Sequence, residues 1–318
     1  METRRMLLVD AFTTDPLAGN VAGVVPNADG LSEDRMRAIA AEIGASETAF
    51  VREVAESKSD PGPESESESE TPTADIRIQY FTPSREVDLC GHATIATFAH
   101  LFDDGVLEAG THVLATNVGP IDVEIESNGI IRLCRPVETV EPVDIDYETL
   151  GEALGILPAA FADVGADLPV ARASIGLPFL LVPVNFLERL GEGDPDPEAV
   201  ESLSERFDVA GIYAFTFDTL EADSTIHARA WAPALGVHED PVTGTASGAA
   251  GAYLRNQDVF DGDHPDEVCI EQGHFVDRPG RVRVRVDGDR VFVGGRAVTA
   301  LDGELAVPEP DADEILET

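Results

Sequence analysis

Two stretches of the chain share one pattern. Gly91-His92-Ala93-Thr94-Ile95-Ala96 and Gly244-Thr245-Ala246-Ser247-Gly248-Ala249 both read glycine, polar residue, alanine, hydroxyl residue, any residue, alanine, and each opens a helix of small residues. A helix start presents unpaired N–H groups and a positive partial charge, so two of them converging on one cleft would hold a small carboxylate without an arginine or lysine. Glycines in such helices also serve plain close packing, and for either helix alone that is the stronger reading; the matched pair is what points to an anion site. Each stretch follows an acidic loop, with Glu86 and Asp88 before the first and Glu239 and Asp240 before the second. His92 falls in the first turn of its helix, where the dipole lowers its proton affinity and favours a neutral ring able to share or pass a proton. Asp240 precedes Pro241, which biases its backbone to an extended form that could aim the carboxylate across the cleft.

The elements that must carry these residues follow from the same repeat. It divides the chain into two related halves, residues 1–121 and 122–295, with a strand at 296–308 returning to the first half. Short runs of period two or rich in β-branched residues recur from MLLVDAF to RVFVGG and are read as mainly antiparallel strands. Helices are predicted at 33–43, with Ser32 as N-cap, Leu31 and Met36 as staple and Gly44 as stop, and near Tyr147–Leu154 and Pro197–Phe207, the last capped by Asp196. Mainly antiparallel strands with interspersed helices make an α+β protein, and a helix of small residues suits a central position wrapped by a curved sheet. Residues 56–74 combine Pro, Gly, Ser and repeated Glu without a large apolar anchor, and are read as a disordered, dispensable acidic insertion.

Composition excludes whole classes of function. The 318 residues carry 21 Lys+Arg against 61 Asp+Glu, a formal net charge of −40, which repels nucleic-acid backbones and anionic membrane surfaces. Lys58 is the single lysine. Excess carboxylate of this kind suits a salt-rich cytoplasm, where a short Debye length removes self-repulsion. Three cysteines, Cys90, Cys134 and Cys269, show no CxxC spacing, so neither a disulfide framework nor a thiolate metal site is expected. No signal peptide or membrane span is legible, and a soluble cytoplasmic protein, with a homodimer as the assembly left open, is expected.

The motifs together resemble one family. Asp10-Ala11-Phe12-Thr13 with Gly19-Asn20, Ser46-Glu47-Thr48-Ala49-Phe50, Phe81-Thr82-Pro83, Leu89-Cys90-Gly91-His92-Ala93-Thr94, Glu239-Asp240-Pro241-Val242-Thr243-Gly244, Glu271-Gln272-Gly273 and Arg278-Pro279-Gly280 are similar to the successive motifs of the phenazine-biosynthesis PhzF-like isomerases. The chain departs from that pattern at Val21, where proline is usual, and at Asp277, where glycine is common. The resemblance implies a diaminopimelate epimerase-like fold of two pseudo-symmetric halves, each a curved sheet around a central helix, in agreement with the repeat, and it implies that Glu47 is the acid/base that moves a substrate proton, with His92 and Asp240 assisting. Ala45, Ala49 and Phe50 beside Glu47 could raise its pKa by desolvation, as proton abstraction from carbon requires. Asn20, Ser46, Gly91, Gly244 and Thr245 are expected to bind or orient the substrate.

The expected activity is therefore a cofactor-independent isomerase or epimerase that moves a proton within a small carboxylate-bearing substrate, with no metal and no cofactor. Two alternatives stand beside it. One is a non-catalytic binding protein that keeps the fold, for which the two helix starts would suffice. The other is a cysteine-dependent epimerase or racemase using Cys90, for which the matching stretch before Gly244 in the other half offers Asp240, Val242 and Thr243 but no cysteine. No phosphate-binding loop, dinucleotide fingerprint or serine nucleophile elbow is present.

Overall fold

The computed structural model describes residues 2–52, 74–162, 164 and 168–307. The acidic insertion expected at 56–74 lies, but for Ala74, outside the described residues. A first run of elements comprises β1 (Glu2–Ala11), β2 (Asn20–Val25), α1 (Glu33–Ile43), β3 (Thr48–Arg52), β4 (Ile76–Phe81), β5 (Glu86–Val87), α2 (Gly91–Asp103), β6 (Gly110–Thr116), β7 (Gly119–Ile125) and β8 (Ile131–Pro136). A second comprises β9 (Thr139–Pro142), α3 (Tyr147–Leu154), β10 (Ala171–Ser174), β11 (Phe179–Pro183), α4 (Leu187–Gly191), α5 (Pro197–Phe207), β12 (Gly211–Thr216), β13 (Ile226–Ala232), β14 (Val237–Asp240), α6 (Gly244–Asn256), β15 (Val268–Gln272), β16 (Gly280–Asp287) and β17 (Arg290–Gly295). β18 (Ala297–Val307) follows.

The two runs pair strand for strand. In the first, β1–β2 is antiparallel, β2–β3 parallel, β3–β4 antiparallel, β4–β6 parallel, and β6–β7 and β7–β8 antiparallel. In the second, β10–β11 is antiparallel, β11–β12 parallel, β12–β13 antiparallel, β13–β15 parallel, and β15–β16 and β16–β17 antiparallel. The outer strands correspond too, since β18 lies on β1 as β9 lies on β10. β8 and β17 pair with each other and make one continuous sheet of the two. By these pairings β7 and β8 go with the first run, so the repeat turns over between Pro136 and Thr139, later in the chain than residues 121–122.

The central helices are α2 and α6, and their small residues have a steric reason. A Cβ on Gly248 would come within 2.4 Å of Ile175 Cδ1, and one on Gly251 within 2.5 Å of Val284 Cγ1, so the sheet closes almost onto the α6 backbone. The hydroxyl position shared by the two motifs is also structural: Thr94 bonds the buried Tyr80 hydroxyl at 2.6 Å, and Ser247 bonds the buried Tyr213 hydroxyl at 2.8 Å. α2 buries Ala93, Ile95, Ala96, Phe98, Ala99 and Leu101 in the main core. Among the described residues no helix is long and apolar enough to cross a membrane.

The outer helices form where local sequence signals place them. α1, α3 and α5 span the predicted residues, Gly44 ends α1 at φ +72°, and the Asp196 side chain accepts from the Glu198 and Ala199 N–H groups at the start of α5. Ser32 stands at the N-cap of α1 without a side-chain capping bond, so Glu33 and Asp34 in the first turn are what complement that helix start.

Two stability predictions arise from this frame. Glu271 on β15 is fully buried; its Oε1 accepts from His227 Nδ1 (2.8 Å) and the Leu220 N–H (2.6 Å), and its Oε2 from the Glu221 N–H (3.1 Å). Burial pushes the carboxyl up, but these donors outweigh it and hold the group down at about 2. A carboxyl depressed in the folded state contributes stability that is complete above its unfolded value of 4.5 and is lost as pH falls towards 2. The contribution is on the order of 3 kcal/mol. Glu271→Gln is therefore expected to lower the melting temperature at neutral pH, and the gap to wild type should close between about pH 4.5 and 2; a gap that stays constant with pH would show that the carboxylate charge is not what stabilises. The second prediction concerns the charge of −40. Raising KCl from dilute buffer to molar concentration shortens the Debye length to about 3 Å and should raise the melting temperature. A melting temperature indifferent to salt would refute this.

Candidate active site

The site is assembled near the starts of the two central helices, which pack against one another and whose first residues line one cavity. Glu47 ends the loop before β3, and its Oε2 lies 3.4 Å from His92 Nε2 in the first turn of α2. Both are largely shielded, with 24% of the Glu47 side chain and 12% of the His92 side chain exposed. Asp240 closes β14 and comes from the other run. Its Oδ1 accepts from Asn20 Nδ2 at 2.9 Å, and its Oδ2 accepts from the Thr243 hydroxyl. Burial, with the Glu47 charge adding to it, pushes the Asp240 carboxyl up, while the Thr243 hydrogen bond and the attraction of His92 oppose this. A carboxyl raised in this way is inclined to hold a proton.

The remaining motif residues hold this arrangement in place. Asn20 is buried at the start of β2 and spends its amide hydrogens on Asp240 and on the Val242 carbonyl (2.9 Å), so it ties the two halves together and turns only its Oδ1 to other uses. Gln272 donates to the Asp240 carbonyl at 2.7 Å and accepts from the Thr243 N–H at 3.0 Å, fixing the turn into α6. Arg278 donates to Asp10 Oδ1 (2.6 Å), Ala18 O (2.8 Å) and Gly19 O (2.9 Å), which clamps the loop that presents Asn20. Gly19 stands at φ +59°, and a Cβ there would lie 2.2 Å from the Ala11 carbonyl, so that loop requires glycine. Asp277 takes the left-handed conformation at φ +56°, which glycine adopts freely and aspartate tolerates.

Glu239, the other acid of the Glu239-Asp240 pair, faces away from this chemistry. It takes a two-point ion pair from Arg229, with Nε to Oε1 at 2.9 Å and Nη2 to Oε2 at 2.7 Å, and a hydrogen bond from the Trp231 indole at 3.3 Å. Ser46 is exposed and makes no side-chain hydrogen bond among the described residues.

A cavity of about 300 Å³ opens beside the acid/base groups. Gly91, Gly244 and Thr245 line it, which places both helix starts on its wall, and among the described residues a Gly91 Cβ would meet nothing within 4 Å beyond its chain neighbours and its own helix backbone. Glu47, His92 and Asp240 are not in the lining; they adjoin it through these helix starts. Phe12 forms part of the wall at φ +66°, a conformation costly for a bulky residue. Its ring packs where a Cβ on Gly244 would come within 2.8 Å and one on Gly295 within 2.7 Å. Sequence reasoning missed Phe12 as a wall residue, because its signal is the matching pair of distant glycines.

Cys90 sits between the cluster and the core, with its Sγ 3.4 Å from His92 Nδ1. Burial first, and then the Glu47 charge, pushes this thiol well above its ordinary range, which makes it a poor base. The N-cap of α6, the position equivalent to Cys90 at α2, is Thr243, so the repeat supplies no opposed thiol. Ligand atoms of Glu47, Cys90 and His92 all lie within 4.8 Å of one another, a donor set that a divalent ion such as zinc could take. The sequence hides this grouping because Glu47 is remote in the chain.

Two matched halves that each lend a carboxyl to one site define a protein of the diaminopimelate epimerase-like fold. The family model for phenazine biosynthesis-like proteins (PhzC-PhzF) matches residues 9–303, and the chain belongs to that family of isomerase-type enzymes. It is 35% identical over 292 residues to the uncharacterized isomerase YfhB of Bacillus subtilis, covering 90% of this chain and 92% of that one. It is 33% identical over 310 residues to the uncharacterized isomerase YddE of Escherichia coli K12, covering 94% and 97%. The crystal structure of a PhzF-family protein from Bacillus anthracis superimposes with a TM-score of 0.82 at 32% identity, covering 96% of this chain and 100% of that one. A hydroxyproline epimerase from Agrobacterium vitis, with a TM-score of 0.57 at 14% identity, shares the fold alone.

Proposed function

We propose that the protein is a cofactor-independent isomerase or epimerase that moves a proton within a small carboxylate-bearing substrate. The observation that carries this reading is the convergence of Glu47 and His92 from one half with a raised Asp240 from the other, beside a cavity walled by both helix starts. The helix starts take the substrate carboxylate. Glu47 accepts a proton from the adjacent carbon, the electron pair delocalises into the neighbouring unsaturation, and the proton returns at carbon. Return from Glu47 to another carbon on the same face shifts a double bond. Return from the Asp240 side, on the opposite face, inverts a centre instead. His92, in contact with Glu47, relays or stabilises the proton between turnovers. The oxidation state of the substrate is unchanged throughout, so no redox partner is required.

The test is solvent exchange. A panel of unsaturated and amino carboxylic acids incubated with the wild-type protein in D2O should include one that gains deuterium at carbon, read by NMR. A member that binds tightly while none exchanges would favour a binding protein that keeps the fold.

A further inference from the structure

The cavity beside the acid/base groups has a second polar end. Its wall is mostly apolar, including Phe12, Leu89, Ile95, Leu133 and Val293, and among the described residues Arg135 is the one basic residue in that wall. β8 places it there: side chains alternate along a strand, Ile131 and Leu133 are buried in the main core, and Arg135 is the next residue on that face, where the core opens into the cavity. The head group is held at the wall by its Nε donating to the Ile175 carbonyl at 3.3 Å. Gly176 makes room for it. That residue stands at φ +135°, and a Cβ there would lie 2.9 Å from Arg135 Nη2.

Among the described residues, no carboxylate lies within ion-pair distance of Arg135, although the chain carries 61 acidic residues against 21 basic ones. Most other arginines near the site are committed, as Arg278 is to Asp10 and Arg229 is to Glu239. Asp88, the other charged residue in the wall, is exposed and does not pair with it. A half-buried guanidinium that faces an apolar cavity with its Nη groups uncommitted is suited to a planar two-oxygen anion.

We propose that Arg135 is a specificity-determining residue, and that the ligand is a dicarboxylate with an apolar body. One carboxylate meets the helix starts at Gly91 and Gly244, and the other meets the Arg135 guanidinium. The inference rests on the proposed carboxylate site and adds the second acid to it. It also accounts for how so acidic a protein would select a doubly charged ligand: the attraction is local to the cavity, while the surface repulsion is screened by salt.

The experiment compares acids of equal chain length at fixed molar KCl, pairing pentanoate to octanoate with glutarate to suberate, and benzoate with its three benzenedicarboxylates. Dissociation constants are read by NMR titration on wild type, Arg135→Gln and Arg135→Lys, each first shown to melt like wild type. The expected result is at least one dicarboxylate bound about tenfold more tightly than its monoacid by wild type. That advantage should fall to within about twofold in Arg135→Gln and be partly kept in Arg135→Lys, with monoacid binding unchanged in both. Monoacids that bind with no diacid advantage in wild type would overturn the inference and leave the helix-start site standing. A diacid advantage that survives Arg135→Gln would assign the second acid to another group and overturn it as well. Failure of every acid to bind wild type would bring down both this inference and the carboxylate reading it rests on.

Discussion

Glu47→Gln is expected to fold and bind acids as wild type does, yet to exchange substrate protons with solvent about a hundred- to ten-thousand-fold more slowly, the usual cost of losing a general base. The amide is nearly isosteric with the carboxyl, and the contact of Glu47 with His92 Nε2 at 3.4 Å leaves space for it without repacking. Removing the charge also takes away a repulsion that raises both Cys90 and Asp240, so the ordinary stability of the variant should be kept or slightly improved. Cys90→Ser provides the contrast. Its thiol is buried, protonated and unmatched by an opposed cysteine, so the serine variant should lose little exchange. A Glu47→Gln variant as fast as wild type beside a dead Cys90→Ser would replace the carboxylate mechanism by a thiol one.

The largest effect on stability is expected at Arg229. Its side chain is 7% exposed and that of Glu239 is 9% exposed, so their pairing is made out of water. The same guanidinium donates to the Leu190 carbonyl at 3.0 Å and the Gly193 carbonyl at 2.9 Å, and lies 4.8 Å from the ring centres of both Trp231 and Phe275. Arg229→Met would strand the Glu239 carboxylate and two carbonyls in the interior, at a cost of about 3–5 kcal/mol. In a chain of this size that lowers the melting temperature by roughly five to seven degrees. The double variant Arg229→Met with Glu239→Gln should recover part of the loss, because the unpaired charge goes with it. Because Glu239 adjoins Asp240, the single variant should also weaken ligand binding by shifting β14. A melting temperature within about two degrees of wild type would show that the pair behaves as a surface one.

Much of the site was legible in the sequence, and for local reasons. A glycine-led helix start, a proline that extends the residue before it and an aspartate cap act over a few residues, so the starts of α2, α5 and α6 and the exposure of their first N–H groups could be read directly. The repeated Gly-polar-Ala-hydroxyl pattern even announced the duplicated topology, since a sheet can close onto a helix only where Gly248, Gly251 and their neighbours lack side chains. What the linear chain concealed is partnership. Glu239 and Asp240 are adjacent and chemically alike, yet opposite faces of β14 send one to Arg229 and Trp231 and the other to Asn20 and Thr243. Arg135 reads as one more basic residue in a strand until β8 places it on the cavity wall. The grouping of Glu47 with Cys90 and His92, and the bent Phe12 between Gly244 and Gly295, likewise join residues far apart in sequence. The types of group available to the chemistry were set by the sequence alone, because residue type and helix-start geometry are local properties. Which of those groups meet, and which are neutralised by a buried partner, was decided by the tertiary structure, because ion pairing and desolvation depend on what the fold brings within a few ångströms.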